Sequence, residues 1–257
     1  RVYKLPVHIP VSCPNRRNGR CGCTYCGEKG AGLERISDAF SIEQQLKQTM
    51  DYIQRRYKAK KFIAYFQSFT NTYIPPDMFY DYINQAVAEN IVEIAVSTRP
   101  DCICKPYLEI LKEISEKNNI EITVELGLQT ANYHSLTKVN RGHTLAEYIE
   151  AALAVKQYGF HLCTHIILNL PWDDALDAIE SAKLVSVMKS DFVKLHGLYI
   201  EKGTKMAEQY QKKEFEICSV EEYKQRVKLF LEYLSPAVWV QRILGRAPEE
   251  DTLFANW

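Results

Sequence analysis

The chain alternates between continuous apolar runs and segments in which apolar residues recur every three or four positions. The continuous runs predict buried strands over 7–11, 62–66, 94–98, 120–128, 161–170, 192–200 and 238–243. The periodic segments predict helices over 41–57, 75–90, 144–158, 173–188 and 220–234, and one more that begins at Pro106. Regular alternation of strand and helix predicts a parallel sheet with right-handed crossovers, and therefore an α/β fold.

Several predicted strands are apolar on one face and polar on the other, because strand side chains alternate with a period of two. The polar faces hold Glu121, Thr123, Glu125 and Gln129 on one strand, His161, His165 and Asn169 on the next, and Lys194 and His196 on a third. A packed barrel interior is normally filled with bulky apolar side chains, so a polar lumen predicts a barrel built around a ligand. With about six strands, such a barrel would be partial and open on one side.

Half of the 8 cysteines lie in one stretch after the first predicted strand, at Cys13, Cys21, Cys23 and Cys26. Gly, Pro, Asn and Arg are frequent there, which predicts a loop. Disulfides, a closed zinc site or an iron–sulfur cluster could order it. Disulfides need an oxidising compartment, which nothing in the sequence indicates.

The spacing of the cysteines bears on the other two alternatives. A zinc ribbon needs two C-x2-C hooks, and only Cys23 and Cys26 form one. Cys102 and Cys104, with C-x-C spacing, are a poorer second hook and are interpreted as ordinary thiols. A thiolate-bound cluster needs nearby positive charge; the candidates are Arg16, Arg17, Arg20 and Lys29. Spacing alone favours a cluster over zinc by a modest margin.

The cysteine stretch resembles the cluster loop of the radical S-adenosylmethionine (radical SAM) superfamily, which ends in C-x-aromatic-C. Tyr25 takes the aromatic place, and the C-x9-C-x2-C spacing is similar to that of the elongator catalytic subunit branch. The resemblance is greatest to the YhcC/YtqA-like family of that branch, through motifs at 13–16, 64–73, 97–101, 125–129, 140–143 and 241–242. Cys21 stands where that family has a small residue, which makes the third ligand ambiguous; Cys13, Cys23 and Cys26 fit best.

The resemblance implies a partial (β/α)6-type TIM barrel with a [4Fe-4S] cluster on these three cysteines. The cluster would reductively cleave S-adenosyl-L-methionine to a 5′-deoxyadenosyl radical, which would abstract hydrogen from a substrate. The residues that it implies for cofactor binding are Tyr25, Gln67, Ser68, Ser97, Glu125, Gln129, Arg141 and Asn169.

For three of these residues, the implied cofactor-binding role competes with a purely structural one. Glu125 would hold the ribose, or would pair with a Lys or Arg. Arg141 would bind the methionine carboxylate as a bidentate fork, or would lie in a surface loop. Gln67, in the stretch 67–71, would face the amino end of S-adenosylmethionine, or would be a polar strand end.

The resemblance also indicates the partners. The C5 side chain of a tRNA wobble uridine is the expected substrate, and a flavodoxin or ferredoxin is the expected electron donor. A small metabolite or a protein side chain are alternative substrates. A zinc-stabilised RNA-binding module, with Cys13, Cys21, Cys23 and Cys26 as a closed tetrad, is the alternative that is not an enzyme.

Length and charge add limits to this picture. We expect a single domain over 1–257, with a cluster loop at 12–30, a partial barrel at about 41–243 and a C-terminal tail at 244–257. No apolar run approaches the ~20 residues of a membrane helix, and no signal peptide is recognisable, so we predict a cytoplasmic protein. The chain begins at Arg1 with no Met, so we expect that its natural N-terminus is missing. The formal net charge of +0 does not by itself indicate a nucleic-acid partner, although the basic run 55–61 could contact phosphates.

Overall fold

A curled parallel sheet organises the computed structural model of the chain, which describes residues 2–19, 22–27, 40–245 and 249–254. The strands are, in chain order, β1 (Val2–Val7), β2 (Lys61–Phe66), β3 (Ile91–Thr98), β4 (Glu121–Gln129), β5 (His161–Ile167), β6 (Phe192–His196), β7 (Ile200–Glu201), β8 (Trp239–Arg242) and β9 (Thr252–Phe254). The main sheet has the order β1-β2-β3-β4-β5-β6-β8, and β7 pairs with β9 in a separate antiparallel ribbon. The predicted α/β fold with a parallel sheet is therefore confirmed.

Helices connect the strands of the sheet. They are α1 (Ile42–Tyr57), α2 (Pro76–Gln85), α3 (Lys105–Asn118), α4 (Tyr133–Lys138), α5 (Leu145–Gln157), α6 (Ala175–Val187), α7 (Lys205–Gln211) and α8 (Val220–Tyr233). A capping box formed by Ser41 and Gln44 begins α1, and three other helices, α5, α6 and α8, begin with the same arrangement. Such caps satisfy amide groups that have no partner within the helix, which explains where these helices begin. Among the described residues, no helix is long and apolar enough to cross a membrane.

The curl of the sheet follows from which side chains meet. Lys4 on β1 and Lys194 on β6 lie 2.8 Å and 2.6 Å from the Glu125 carboxylate on β4. In a flat sheet β1 and β6 would be about 24 Å apart, since neighbouring strands are about 4.8 Å apart. Both lysines reach one carboxylate because the sheet bends around it. This is the partial barrel with a polar lumen that the strand faces predict.

The apolar face of the sheet packs against the helices. Its core includes Leu5, Phe62, Ile94, Ile122 and Leu162 from the strands and Ile83, Leu108 and Val155 from the helices. A second, smaller apolar cluster contains Val139, Ile167, Leu198 and Met206, and the Tyr25 ring packs against it. The first cluster fixes the barrel, and the second supports the cysteine loop.

The first strand was misplaced at 7–11 and lies at Val2–Val7. Leu5 and Val7 are buried, whereas Lys4 and Pro6 are partly exposed on the other face. An edge strand with one polar face alternates instead of forming a continuous apolar run. The continuous apolar run 7–11 therefore overlaps the strand only at Val7.

Other boundaries also differ from the prediction. The strand predicted over 192–200 is two elements, because β6 ends at His196 and Ile200 pairs with β9. The helix predicted over 75–90 ends at Gln85, and Asn90 has a left-handed φ of 70° just before β3. Two short helices, α4 and α7, and the strand β9 were not predicted. The main sheet has seven strands instead of about six.

Candidate functional site

A cavity of about 680 Å³ opens on the polar face of the sheet. Residues at or just beyond the carboxyl ends of strands line it, including Gln67, Arg99, Gln129 and Arg242. Cys13, Cys23 and Cys26 also line it. Barrel enzymes place their active sites at this end, because the loops that follow the strands converge there.

The three cysteine side chains lie beside guanidinium groups. Arg99 Nη1 is 3.6 Å from Cys13 Sγ, and Arg141 Nη1 is 3.7 Å from Cys23 Sγ. Charged donors at this distance stabilise thiolates, which are the form of cysteine that binds metal. Cys21, the fourth cysteine of the loop, lies outside the described residues.

The thiols of Cys23 and Cys26 are coupled to each other. A hydrogen bond between them, together with the Arg141 and Arg99 charges, lowers the pKa of Cys23 although burial opposes the shift. The same hydrogen bond, with burial, raises the pKa of Cys26. The two pKa shifts are opposite in direction, so Cys23 loses its proton more readily than Cys26.

Two of the sequence motifs lock together and fix the cysteine loop. Asn15 Nδ2 donates to the carbonyls of Asn140 and Arg141 at 2.7 Å and 2.8 Å. In return, Asn140 Nδ2 donates to the Gly22 carbonyl at 2.8 Å. A Cβ on Gly142 would lie 2.1 Å from Asn15 Oδ1, so this position requires glycine for space as well as for its φ of +79°.

The two arginines beside the cysteines are held by their own partners. Arg99 forms a bidentate pair with Asp101, at 2.8 Å and 2.6 Å, and donates to the Gly142 carbonyl at 2.7 Å. Arg141 Nη2 donates to the Gly127 carbonyl at 2.6 Å, and a Cβ on Gly127 would lie 2.6 Å from that nitrogen. Both side chains are buried, so their positions are set by the fold.

His143 packs against Arg141 from within the loop that follows α4. Arg141 Nε lies 3.0 Å from His143 Nε2, and His143 Nδ1 lies 3.1 Å from the Thr144 carbonyl. Burial and the Arg141 charge lower the pKa of His143 to about 4. A neutral imidazole that donates through Nδ1 and accepts through Nε2 satisfies these two contacts; the other tautomer would instead donate from Nε2 to the Gly127 carbonyl, 3.0 Å away.

The floor of the cavity is one carboxylate surrounded by a side chain from each of five other strands. The Glu125 oxygens accept from Lys4 (2.8 Å), Tyr65 (2.8 Å), Ser97 (3.1 Å), His165 (2.8 Å) and Lys194 (2.8 Å and 2.6 Å). Glu125 is 1% exposed. These contacts occupy both of its oxygens and tie β1 to β6 through β4.

The charge of this carboxylate is maintained in spite of its burial. Burial alone would raise the pKa of Glu125, but the His165 hydrogen bond and the Lys194 and Lys4 charges outweigh it and hold the pKa well below its usual range. Burial in turn lowers the pKa of His165 to about 4, so this imidazole is neutral near pH 7 and donates from Nε2. The floor therefore contains one anion, two ammonium groups and three neutral donors.

The structure brings most of the predicted cofactor-binding residues to this cavity. Tyr25, Gln67, Ser97, Glu125, Gln129 and Arg141 line it. Ser68 and Asn169 do not line it, and Asn169 Oδ1 instead accepts from the Leu198 amide at 2.5 Å. A ribose would reach Glu125 only by displacing one of its present partners, so that assignment stays a prediction.

Sequence reasoning assigned no role to several lining residues, namely Lys4, Tyr65, Arg99 and Arg242. Lys4 was missed because β1 was misplaced. Tyr65 and Arg99 stand within the motifs at 64–73 and 97–101, but their residue types gave no signal of what they contact. Cys102 and Cys104 lie outside the cavity lining, and burial raises the pKa of Cys102 to about 12, which disfavours the thiolate that metal binding needs.

Comparison with protein families gives two matches that together span most of the chain. The profile of the Radical SAM superfamily matches residues 9–185, and that of the Radical_SAM C-terminal domain matches residues 190–257. The first match alone covers more than half of the chain.

Three relatives are each 33% identical to this chain over its whole length. They are protein MJ0486 of Methanocaldococcus jannaschii, YtqA of Bacillus subtilis and YhcC of Escherichia coli K12, of which the chain covers 80%, 80% and 82%. A tRNA uridine(34) acetyltransferase of Methanocaldococcus jannaschii is 28% identical over 54% of this chain and 26% of its own.

Solved structures share the fold. Elp3 of Methanocaldococcus infernus superposes with a TM-score of 0.74 at 16% identity, over 98% of this chain and 59% of its own. SuiB of Streptococcus suis, solved with S-adenosylmethionine bound, gives a TM-score of 0.60 at 12% identity, over 94% of this chain and 49% of its own. The family matches, and the relatives that match over the whole of this chain, show that the chain belongs to the radical SAM superfamily, among the YhcC- and YtqA-like proteins.

Proposed function

We propose that this chain is an enzyme that binds a [4Fe-4S] cluster through Cys13, Cys23 and Cys26 and uses it to cleave S-adenosylmethionine. The observation that carries the proposal is the position of these three thiols on one cavity, with Arg99 and Arg141 beside two of them. Three thiolates suit such a cluster, and nearby cations offset its negative charge. When bound, the cluster supplies the electron that cleaves S-adenosylmethionine to methionine and a 5′-deoxyadenosyl radical.

The chain's own residues would position the cofactor and exclude water. The Arg141 guanidinium is anchored on Gly127 through Nη2, which leaves Nη1 facing Cys23 and the cavity. We assign the methionine carboxylate to this nitrogen in place of the predicted bidentate fork, because Nε and Nη2 already donate to the Gly127 carbonyl and a buried guanidinium is a strong oxyanion donor. The amides of Gln67 and Gln129, at strand ends on the same cavity, are the proposed polar contacts for the rest of the molecule. A flavodoxin or ferredoxin in the cytoplasm is the proposed source of the electron.

The test is anaerobic reconstitution with iron and sulfide, followed by reduction in the presence of S-adenosylmethionine. We expect absorbance near roughly 410 nm, from thiolate–iron charge transfer, and equal amounts of methionine and 5′-deoxyadenosine. Cys23→Ala should give neither. A protein that retains zinc and takes up no iron would contradict the proposal and favour the RNA-binding module.

As the substrate we propose a tRNA wobble uridine, modified at C5. Support comes from the partial similarity to a tRNA uridine(34) acetyltransferase, which covers 54% of this chain. The basic segment at the end of α1 also supports it, because Arg55, Arg56, Lys60 and Lys61 are exposed there. Exposed cations of this kind displace counterions from phosphates.

Filter binding tests the tRNA proposal. We expect affinity for tRNA to fall steeply between 50 and 200 mM salt, on the order of 10³-fold if several phosphates are contacted. Charge reversal at the four basic residues should weaken binding and flatten that dependence. If the protein does not bind tRNA at low salt, the substrate is a small molecule or a protein, while cofactor cleavage would be unaffected.

A further inference from the structure

The cations that line the cavity differ in whether an anion already neutralises them. Arg99 is paired with Asp101, and Arg141 lies against Cys23. Lys4 and Lys194 share the single carboxylate of Glu125. Among the described residues, no other carboxylate lines the cavity, so this floor has more positive than negative charge.

Arg242, at the end of β8, is a lining cation without an anionic partner among the described residues; Arg16 is another, but it already donates to the Cys26 and Gly27 carbonyls. Arg242 forms no ion pair within the described part of the chain; instead its Nη2 lies 2.7 Å from His196 Nδ1 and 2.9 Å from Nε2. His196 is in turn stacked on His165, with ring centroids 5.2 Å apart. All three side chains line the cavity.

The strand register places these groups next to one another. Lys194 on β6 is the register partner of Arg242 on β8, and His165 on β5 is the partner of Lys194. We call Lys4, Lys194, His196 and Arg242 the basic wall. It offers two ammonium groups, a guanidinium and an imidazole to one volume, with Glu125 as its only described carboxylate.

We infer that the basic wall is a binding site for an oxyanion of the substrate, either a phosphate or a carboxylate. A guanidinium that lies free of carboxylates on a concave surface suits both groups, which it binds through paired N–H donors. Little water screens Lys194, whose side chain is 9% exposed; burial lowers its pKa, and the Glu125 charge opposes that shift. The inference rests on the proposed function, since it assigns this oxyanion to the molecule that the radical attacks.

Calorimetric titration of the cluster-loaded protein tests the inference, in the presence of saturating S-adenosylmethionine. Uridine 5′-monophosphate with uridine as its uncharged match probes phosphate, and succinate with succinamide probes carboxylate. We expect at least one anion to bind more than 10-fold more tightly than its uncharged match. Preference in the uridine pair identifies a phosphate site, and preference in the succinate pair identifies a carboxylate site.

Variants connect the binding to the basic wall. Arg242→Gln should weaken the anion at least 10-fold, and Arg242→Lys should restore part of the affinity. Lys117→Gln, an exposed lysine on α3 outside the cavity, is the matched control and should leave it unchanged. Equal affinity for anion and uncharged match, or no effect of Arg242→Gln, would overturn the inference.

Two further outcomes separate this inference from the proposed function. If the anion binds only without S-adenosylmethionine, the wall belongs to the cofactor and the inference is wrong. If no anion binds while 5′-deoxyadenosine still forms, the oxyanion site fails and the radical SAM function stands.

Discussion

At the scale of single residues, Glu125 shows how a charge is kept inside this protein. Removing a carboxylate from water is costly, and the cost is offset only where geometry and hydrogen bonding are good. Here two ammonium groups and three neutral donors surround it, all within 3.1 Å. The same arrangement makes the two lysines dependent on the carboxylate.

We predict that Glu125→Ala lowers the free energy of unfolding by about 3–5 kcal/mol, since it leaves Lys4 and Lys194 without their anion. Denaturant melts of the protein without cluster measure this. Ser97→Ala, which removes one neutral donor to the same carboxylate, is the control and should cost about 1 kcal/mol. Equal stability of Glu125→Ala and wild type would show that the ion pairs contribute nothing.

The ribose assignment of Glu125 makes a separate prediction. If it is correct, Glu125→Ala also weakens S-adenosylmethionine binding to the cluster-loaded protein by roughly 1.5–3 kcal/mol, the range for hydrogen bonds to a charged group. Titration calorimetry measures this on the fraction that folds. Unchanged cofactor affinity in that fraction would leave Glu125 with a structural role only.

Substitution of single cysteines distinguishes those that bind the cluster from those that do not. Cys13→Ala, Cys23→Ala or Cys26→Ala should each abolish the reconstituted cluster, because we propose that these three thiolates hold it. Cys21→Ala and Cys104→Ala should retain it; Cys104 is exposed and outside the cavity lining. Iron content and the charge-transfer absorbance are the measurements, and loss of iron in Cys21→Ala with retention in Cys13→Ala would reverse the assignment.

At the scale of elements, the cysteine loop takes its shape from another loop. Its described part has one short 3-10 helix, Pro14–Gly19, and otherwise turns. Side-chain amides of Asn15 and Asn140 bond across to the opposite backbone, and the Thr24 amide donates to the Val139 carbonyl at 2.9 Å. The loop after α4 thus serves as a template on which the cysteines are arranged.

We predict that Gly142→Ala separates these two loops and reduces the iron content of the reconstituted protein. The added methyl group would lie 2.1 Å from Asn15 Oδ1. Gly159→Ala is a matched control, because Gly159 has a similar φ, +78° against +79°, but nothing lies within 4 Å of its Cβ. Both variants pay about 1–2 kcal/mol of left-handed strain, so a loss of iron confined to Gly142→Ala identifies the contact with Asn15. Equal iron content in both would remove the template role.

At the scale of the whole molecule, the curl of the sheet buries histidines as neutral groups. Burial is the main reason that the pKa values of His143 and His165 fall from 6.5 to about 4. Between these values the unfolded chain binds a proton that the folded chain does not, so stability falls as pH falls. Below pH 4.5 the lowered pKa of Glu125 acts in the same direction.

Two other buried groups titrate in this range: burial also lowers the pKa of His196, which adds to the decrease, and it raises the pKa of Asp173 to about 6, which opposes the decrease. We predict that His143 and His165 each lower the free energy of unfolding of the protein without cluster by about 3 kcal/mol between pH 6.5 and pH 4. Urea melts at a series of pH values measure this. His143→Asn should make the decrease smaller by about 3 kcal/mol, and His134→Asn, at an exposed position on α4, should leave it intact. A decrease of the same size in His143→Asn would contradict the assignment.

The sequence by itself determined the features that repeat locally. Periods of two and of three to four residues are set by backbone geometry, so they predicted the parallel sheet, most helices and the polar face that carries Glu125 and His165. The cysteine motif likewise predicted cluster chemistry, since the three cysteines proposed as ligands are close in the chain, and this stays a prediction. Where the local pattern was ambiguous, as in the edge strand β1, the strand was placed at the wrong residues. Lys4 was therefore not recognised as a residue of the cavity.

Only the tertiary structure decided which distant residues meet. Glu125 contacts Lys4 across 121 positions and Lys194 across 69, and Asn15 contacts Asn140 across 125. No local period encodes such pairs, because the curvature of the sheet and the docking of two loops bring them together. The oxyanion site proposed at Arg242 depends on the same curvature, which places the last strand of the sheet beside residues that the sequence keeps far apart.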